Sequence, residues 1–554
     1  MTIDAAPTAS CFAVPSAPVD ARITDTLVGT RRLMRLVLRR DRARLSLWVV
    51  GLVGLMAVSA RSIASLYETP GQIRTYVDTV GDNPALVMFA GPGYGFDDAT
   101  VGAILVNETS LWVALAAALM NVFLVVRHTR TEEDTERLDL VGSLVVGRHA
   151  PAAATLLVAG MANLAVAVGC TVAAIAFGFA TAGSIALGAS IGLTGLAFGA
   201  ASAAGAQVAS TGRSALGASV GLVGLAFVVR GIGDVAAPAL SWSTPFGWGL
   251  GVRAFAGERW WTLLGLVGFA IGLFVFAVWL SARRDLGSGL LSQHTGPATA
   301  SPSTRRPLGL AVRIQRVVFV GWAVGIVAAG LVYGSLADEI EAMVADNPEL
   351  ADYFAGAGGA TLAESYLATT MQMMALVIGG YAISATLRTR HGEIRGTAES
   401  MLATPLTRWW WAGSTLVVAT VTSLLLVGVA GLTIGMSYAA SVGDWSEIGT
   451  MMVAASSVAP TVLVLIGVAT MLFGWVPRAT VAAWGVLAFV AIVTLFGPVL
   501  RLPDWVVDLS PLARMSAVPA EDWNTTSVVV MMVVAAALVA VGLVGFARRD
   551  LATG

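Results

Sequence analysis

The chain has 554 residues, 56% of them hydrophobic and only 12% charged, with a formal net charge of −1. A soluble chain of this length carries about a quarter charged residues, and no single soluble core buries so much apolar surface; a bilayer is the solvent that fits, and the charge balance suggests no nucleic-acid partner. All 33 basic residues are arginine, so the lysine of a Walker A loop, G-x-x-x-x-G-K-[ST], is missing: if ATP drives this chain, ATP and Mg2+ are held by another protein.

Residues 1–30 are polar, rich in Pro, Ala and Thr, and expected to be a disordered cytosolic segment. Cys11 lies behind neither a basic nor an apolar stretch, so no signal peptide is expected. From Thr30 to Arg40, arginines and aliphatic residues recur at helical spacing, which suggests an amphipathic helix on the inner leaflet or a simple positive anchor. Apolar stretches of spanning length then follow near 45–66, 104–127, 150–180, 183–209, 215–238 and 261–281. After a Ser/Thr/Gly/Pro/Ala-rich linker at 286–304, six more lie near 317–336, 363–387, 410–440, 449–475, 479–500 and 524–546. The expected fold is all-α and polytopic, with about twelve transmembrane helices.

Arginine placement sets the expected orientation. With the N-terminus in the cytoplasm, 26 arginines fall inside and six outside, while acids divide 13 inside and 21 outside. The C-terminus is then cytoplasmic too, in a multi-pass protein of the cell membrane.

The two halves, 31–285 and 305–554, repeat each other. Thr30-Arg31-Arg32 matches Thr304-Arg305-Arg306, and Asp82-Asn83-Pro84 matches Asp346-Asn347-Pro348. Thr129-Arg130, Glu133 and Arg148 match Thr389-Arg390, Glu393 and Arg408, and Ala282-Arg283-Arg284-Asp285-Leu286 matches Ala547-Arg548-Arg549-Asp550-Leu551. Six spans per half make these parallel repeats, with a binding path expected between the halves.

The segment after the second span of each half carries the clearest mechanistic signal. Residues 127–144 and 388–405 are charged stretches running into aliphatic ones, with i,i+4 pairs at Glu133–Arg137 and Arg395–Glu399 and Leu138, Val141 and Leu144 on one face. Such a helix can dock in a partner's groove; the plain alternative is a solvated loop, and duplication of the segment favours docking on two like domains. The pattern R-x-x-E, then L-[DE]-L or A-E-S, before the third span resembles the coupling-helix region of ABC-2 type permeases. The duplicated layout resembles the fused permeases of actinobacterial polyketide-antibiotic and multidrug exporters, the tetronasin type among them. In the second half Gly396 stands where Glu136 does in the first, and Ala398-Glu399-Ser400 replaces Leu138-Asp139-Leu140.

That resemblance implies a permease that exports hydrophobic or amphipathic compounds, driven by two copies of a separate ABC ATPase. It assigns ATPase coupling to Arg130, Glu132, Glu133, Asp139, Arg390, Glu393 and Glu399, with Glu133 and Glu393 as the anchors. It also places the second and fifth spans along the substrate path. Asn121 and Gln372 are polar groups within the membrane, and Met373 and Met374 beside Gln372 suit an adaptable pocket; Trp112, Phe123, Phe489 and Phe496 complete the candidates. Helix packing or lipid contact is the plainer reading for each taken singly.

Glu108 and Glu364, at outer span ends, read as solvated carboxylates more readily than as cation sites. Gly188-x-x-x-Gly192, Gly195-x-x-x-Gly199 and Gly217-x-x-x-Gly221 read as close helix contacts. The four histidines, His128, His149, His294 and His391, show no metal-ligand spacing, and no catalytic constellation is visible, so neither a metal centre nor an enzyme site is expected. An ion-gradient-driven secondary transporter is the main alternative, and a membrane-embedded transferase a third.

Overall fold

The computed structural model describes residues 26–81, 84–135, 137, 145–284, 289–290, 299, 301–345, 361–394, 396–500 and 503–550. Among these the regular structure is helical, and eleven helices are long and apolar enough to cross a membrane. The span expected near 479–500 is present as a shorter helix, Ala482–Leu500. The protein is therefore an all-α, multi-pass membrane protein. Helices dominate although the chain is rich in Gly and Val, because a segment in hydrocarbon must satisfy its backbone internally, and that demand overrides residue propensity.

The chain divides into two compact units, Met1–Thr295 and Gly296–Gly554. The first contains α1 (Thr30–Leu66), α2 (Pro70–Val80) and α3 (Pro84–Ala90). Next come α4 (Val101–Leu105), a π-helical turn at Val106–Ser110, and α5 (Leu111–His128). The unit continues with α6 (Arg130–Asp134), α7 (Ala150–Ala176), α8 (Thr181–Val208) and α9 (Gly212–Ala236). It ends with α10 (Pro238–Ser241), α11 (Pro245–Leu250) and α12 (Trp261–Ala282). Helix starts are set locally: Thr69 and Thr211 close capping boxes with Gln72 and Ser214.

Buried α8 is the hub of this unit, packed on α5, α7 and α12. Its Gly, Ala and Ser residues let neighbouring backbones come close. A Cβ on Gly192 would lie 2.9 Å from the Asn163 carbonyl oxygen, and one on Gly195 3.0 Å from Asn121 Nδ2. The expected contacts through Gly188, Gly192, Gly195 and Gly199 are thus present. Gly217 and Gly221 differ, since a Cβ on either meets nothing within 4 Å among the described residues. The four-residue spacing puts two glycines on one face of α9, but no described helix of this unit lies against them.

The second unit contains α13 (Pro307–Ala345), α14 (Leu362–Thr386), α15 (Arg388–Ile394) and α16 (Thr397–Leu402). It continues with α17 (Arg408–Val442), α18 (Glu447–Trp475), α19 (Ala482–Leu500), α20 (Asp504–Val507) and α21 (Thr525–Arg548). Here α18 is the hub, against α14, α17 and α21.

The stretch from Thr30 to Arg40 is not a separate helix lying across α1. It forms the opening turns of one uninterrupted 37-residue helix. At 1.5 Å per residue this spans about 55 Å, well beyond the roughly 30 Å hydrocarbon layer, so the arginine-bearing turns project past it. No glycine or proline interrupts residues 31–50, and nothing local breaks the helix there. Residues 1–25, the aliphatic face 138–144, most of the 286–304 linker and the second Asn-Pro stretch at 346–360 lie outside the described residues.

Candidate functional site

At the arginine-rich end of the first unit, α5 stops at Thr129, whose φ of −117° and ψ of −89° break the helix before α6. The break turns the Glu133 carboxylate inward. Arg130 Nη1 donates to Glu133 Oε2 at 2.6 Å. Arg284, just past the end of α12, adds a two-pronged fork, with Nη1 2.8 Å from Oε2 and Nη2 2.5 Å from Oε1. Arg284 Nε also donates to Gln207 Oε1 at 2.7 Å, and Arg130 Nη2 to the Ser210 carbonyl at 2.6 Å. Arg148 Nη2 then donates to the Arg284 carbonyl at 3.1 Å. A planar guanidinium matches a carboxylate in two bonds, which a lysine cannot do.

The second unit builds the same knot. Arg549 Nη1 and Nη2 lie 2.6 and 2.8 Å from Glu393 Oε1 and Oε2, and Arg390 Nη1 is 3.1 Å from Oε2. Arg408 Nη1 donates to the Arg549 carbonyl at 2.6 Å. The Arg549 guanidinium also sits 5.0 Å over the Phe473 ring and 5.2 Å over Phe546. Three separate pairs of matched sequence segments thus converge on one arrangement in each unit.

Neither glutamate expected to anchor a partner is presented at the surface. The side chains of Glu133 and Glu393 are only 8% and 1% exposed and face arginines of their own unit. Arg130 is fully buried, and Glu132 is tied to Arg40 at 2.7 Å. Glu399 is exposed in the first turn of α16, while Asp139 lies outside the described residues. Among the exposed aliphatic side chains at this end are Val145, 90% accessible, between α6 and α7, and Ile394, 60%, which ends α15. The aliphatic run at 138–146 marks the neighbourhood of Val145 but not which side chain is exposed, and Arg284 and Arg549 are marked only by their place in the repeat. Duplication of Arg-Arg-Asp-Leu after the last span was the available signal.

The first unit carries a further buried pair. His128 Nε2 lies 2.6 Å from Asp41 Oδ2, with Arg127 at 3.4 Å from Oδ1. The second unit has Gln315 at the place of Asp41, and neither polar atom of its buried amide has a hydrogen-bond partner among the described residues.

The intramembrane candidates separate by exposure. Asn121 is fully buried and forms a reciprocal pair with Asn163 at 3.0 and 2.8 Å, each amide also donating to the carbonyl four residues before it at 2.7 Å. Its hydrogen-bonding groups are engaged in joining α5 to α7. Met374 is buried, Gln372 and Phe489 are half-buried, and Phe489 packs on the core of the second unit. Phe496 falls on α19. Within its own unit α5 is covered except along one stripe, where Trp112 and Phe123 are exposed and Leu115 and Leu119 half-exposed; the stripe on α14 comprises Ser365, Thr369, Met373 and Val377. Trp112 joins Phe89 and Phe227 with ring centroids 6.0 to 6.2 Å apart.

At the opposite end, Asn107 in the π turn accepts from the Tyr76 hydroxyl at 2.9 Å and donates to the Gly91 carbonyl at 3.1 Å, fastening α2 and α3 over α5. Glu108 interacts with Tyr67, whose phenol is pushed to higher pKa by burial and then by that carboxylate. Glu364 caps its own helix, accepting from the Thr361 backbone at 2.6 Å.

A family model described as multidrug efflux system permease Rv1217c, C-terminal domain, matches residues 305–547. Over 525 residues, 94% of this chain and 95% of the relative, the chain is 34% identical to the multidrug efflux system permease protein Rv1217c of Mycobacterium tuberculosis (strain ATCC 25618 / H37Rv).

Proposed function

The chain belongs to the family of the multidrug efflux system permease Rv1217c, and on that premise we propose that it is the membrane-spanning subunit of an ABC-2 type exporter. In this reading it moves amphipathic or hydrophobic compounds, antibiotics and drugs among them, out of the cell with energy from two copies of a separate ATPase. The arginine-rich end faces the cytoplasm, with both termini there.

The observation that carries the reading is the matched pair of inward-turned segments after the second spans, each locked by the same knot, at Glu133 in one unit and Glu393 in the other. Two like segments, one at the corresponding end of each unit, suit two like motor domains. The absence of lysine from the chain leaves the nucleotide to those partners. On this reading Arg130, Glu132, Glu133, Asp139, Arg390, Glu393 and Glu399 form or brace the contact, with Val145 and Ile394 as its apolar anchors. Trp112, Phe123, Gln372 and Met373 lie along the path, and Asn121, Met374, Phe489 and Phe496 support it. An ion-driven carrier needs a carboxylate free to load and release a cation. Asp41, Glu133, Asp234 and Glu393, all with buried side chains, are each paired with arginine or histidine, which favours the ATP-driven reading.

The test is purification from native membranes in mild detergent, followed by reconstitution. Two ATPase chains per permease and dye efflux that requires ATP and persists with a proton ionophore are expected. Efflux by the isolated chain down a proton or sodium gradient would refute the reading.

A further inference from the structure

We propose that Arg284 and Arg549 are positioning residues that make the last helix of each half move with the segment following its second span. The inference rests on the ATP-driven reading above and adds where the force goes. α6 is not a rigid extension of α5, because the chain breaks at Thr129; a push on α6 alone dissipates at that joint. The fork from Arg284 to Glu133 removes this freedom, tying α6 to the end of α12, 151 residues further along the chain. Arg148 holds the backbone carbonyl of Arg284, so the residue that carries the fork cannot swing away. Gln207 holds its Nε at the end of α8. Push and pull on α6 therefore both reach α12 and α8.

The second unit repeats the tie with different surroundings, and there α14 passes into α15 through Leu387 with helical angles rather than through a break. Arg549 forks onto Glu393, Arg408 holds the Arg549 carbonyl, and the guanidinium rests on Phe473 of α18 and Phe546 of α21. In both units a buried carboxylate is the shared node. Such a node is a poor docking contact, since a partner cannot reach it, but a good mechanical joint. Pulling the fork apart leaves each buried carboxylate its bond to Arg130 or Arg390 but takes away its two-pronged match, which makes separation of the parts unfavourable. The arrangement thus assigns Glu133 and Glu393 to force transfer inside the chain and leaves partner contact to the exposed residues of the same segments.

The experiment uses the permease–ATPase complex in liposomes, reading ATP hydrolysis and efflux of a fluorescent amphipathic dye together. For Arg284→Gln and Arg549→Gln, the ATPase stays bound at wild-type stoichiometry and hydrolyses ATP, while dye moved per ATP falls about tenfold, the scale of coupling energies in such networks. Arg284→Lys and Arg549→Lys, which keep the charge and lose the fork, fall between wild type and Gln. A second arm bypasses the ion pair: Glu133→Cys with Arg284→Cys, in a Cys11→Ser background, is treated with a short bis-maleimide. Cross-linking restores dye moved per ATP if the fork acts as a mechanical tie, and this arm carries the test should the Gln variants fail to fold. Dye per ATP within twofold of wild type in the Gln variants, loss of the ATPase from them, or no restoration by the cross-link would overturn the proposal. If the wild-type complex shows no ATP-dependent efflux, the functional reading fails and takes this inference with it; wild-type efflux matched by the variants removes the inference alone.

Discussion

At the scale of single residues, the two glutamates illustrate how a pattern of charges differs from its placement. The spacing in residues 127–144 and 388–405 marks segments built to bear charge, and a reader of the sequence points the acids outward. Burial reverses this for Glu133 and Glu393 because each meets an arginine from the far end of its own unit. His149 is a second case. It opens α7 beside Arg148, and its Nδ1 lies 3.4 Å from the Ser281 hydroxyl. Burial, and then the neighbouring guanidinium charge, hold its pKa below the ordinary histidine value. The folded chain then takes up this proton less readily than the unfolded one, so the unfolded state binds more protons in the window between the two values. The associated stability is present above pH about 6.5 and is lost as pH falls through that value toward the folded pKa. Melting of the purified chain in detergent between pH 7.5 and 5.5 tests this. His149→Gln should flatten part of the decline, and an unchanged slope would remove His149 as a cause. The effect is small because the imidazole is only partly buried.

At the scale of elements, the decisive feature of the first unit is the thinness of α8. A row of Gly, Ala and Ser brings α5 and α7 near enough for Asn121 and Asn163 to exchange both hydrogen bonds. A reader who finds Asn121 in an apolar span sees an expensive polar group and suspects a ligand; the partner that satisfies it lies 42 residues away on another helix. Asn121→Ala should destabilise the chain by about 1–2 kcal/mol, since it leaves the Asn163 amide short of a partner in hydrocarbon. Replacing both asparagines by leucine should cost less than the two single changes summed, because no polar group is then left unpaired. Thermal unfolding of the four proteins closes the cycle; strict additivity would show that the pair is not coupled. The π turn is the corresponding device at the opposite end. It sets Asn107 between the Tyr76 hydroxyl and the Gly91 carbonyl, joining three elements through one side chain.

At the scale of the whole molecule, duplication makes two units alike in plan and unlike in detail. The first unit supplements its fork with Arg40–Glu132, with Asp41–His128, and with an Asp134 carboxylate that accepts from the Gly212 backbone at 2.5 Å. By the repeat register the second unit has Gly392, Gln315 and Ile394 at the places of Glu132, Asp41 and Asp134, and these residues offer no carboxylate. The second fork therefore carries a larger share of its unit's connection. Arg549→Gln should depress dye moved per ATP more than Arg284→Gln, measured in the same reconstituted complex. Equal losses would mean the added ion pairs of the first unit bear no load.

The sequence by itself determined the solvent, the spans and the repeat. These depend on local composition and on the energetic demand that hydrocarbon makes of every backbone group, which acts on each segment separately. It also marked the residues of the two knots, since Arg130, Glu133, Arg148 and Arg284 and their counterparts all fall within repeated segments. Only the tertiary structure decided what those residues do to one another. The fork joins positions 151 residues apart in one unit and 156 in the other, and no periodicity along a chain reports a contact at such separation. For the same reason the spacing of Gly217 and Gly221 suggested a helix contact that is not made among the described residues, and that of Arg31 to Arg40 suggested a helix on the inner leaflet where the structure has the opening turns of α1. Whether a face is covered depends on which helix the fold brings to it, and that is settled by packing among distant segments.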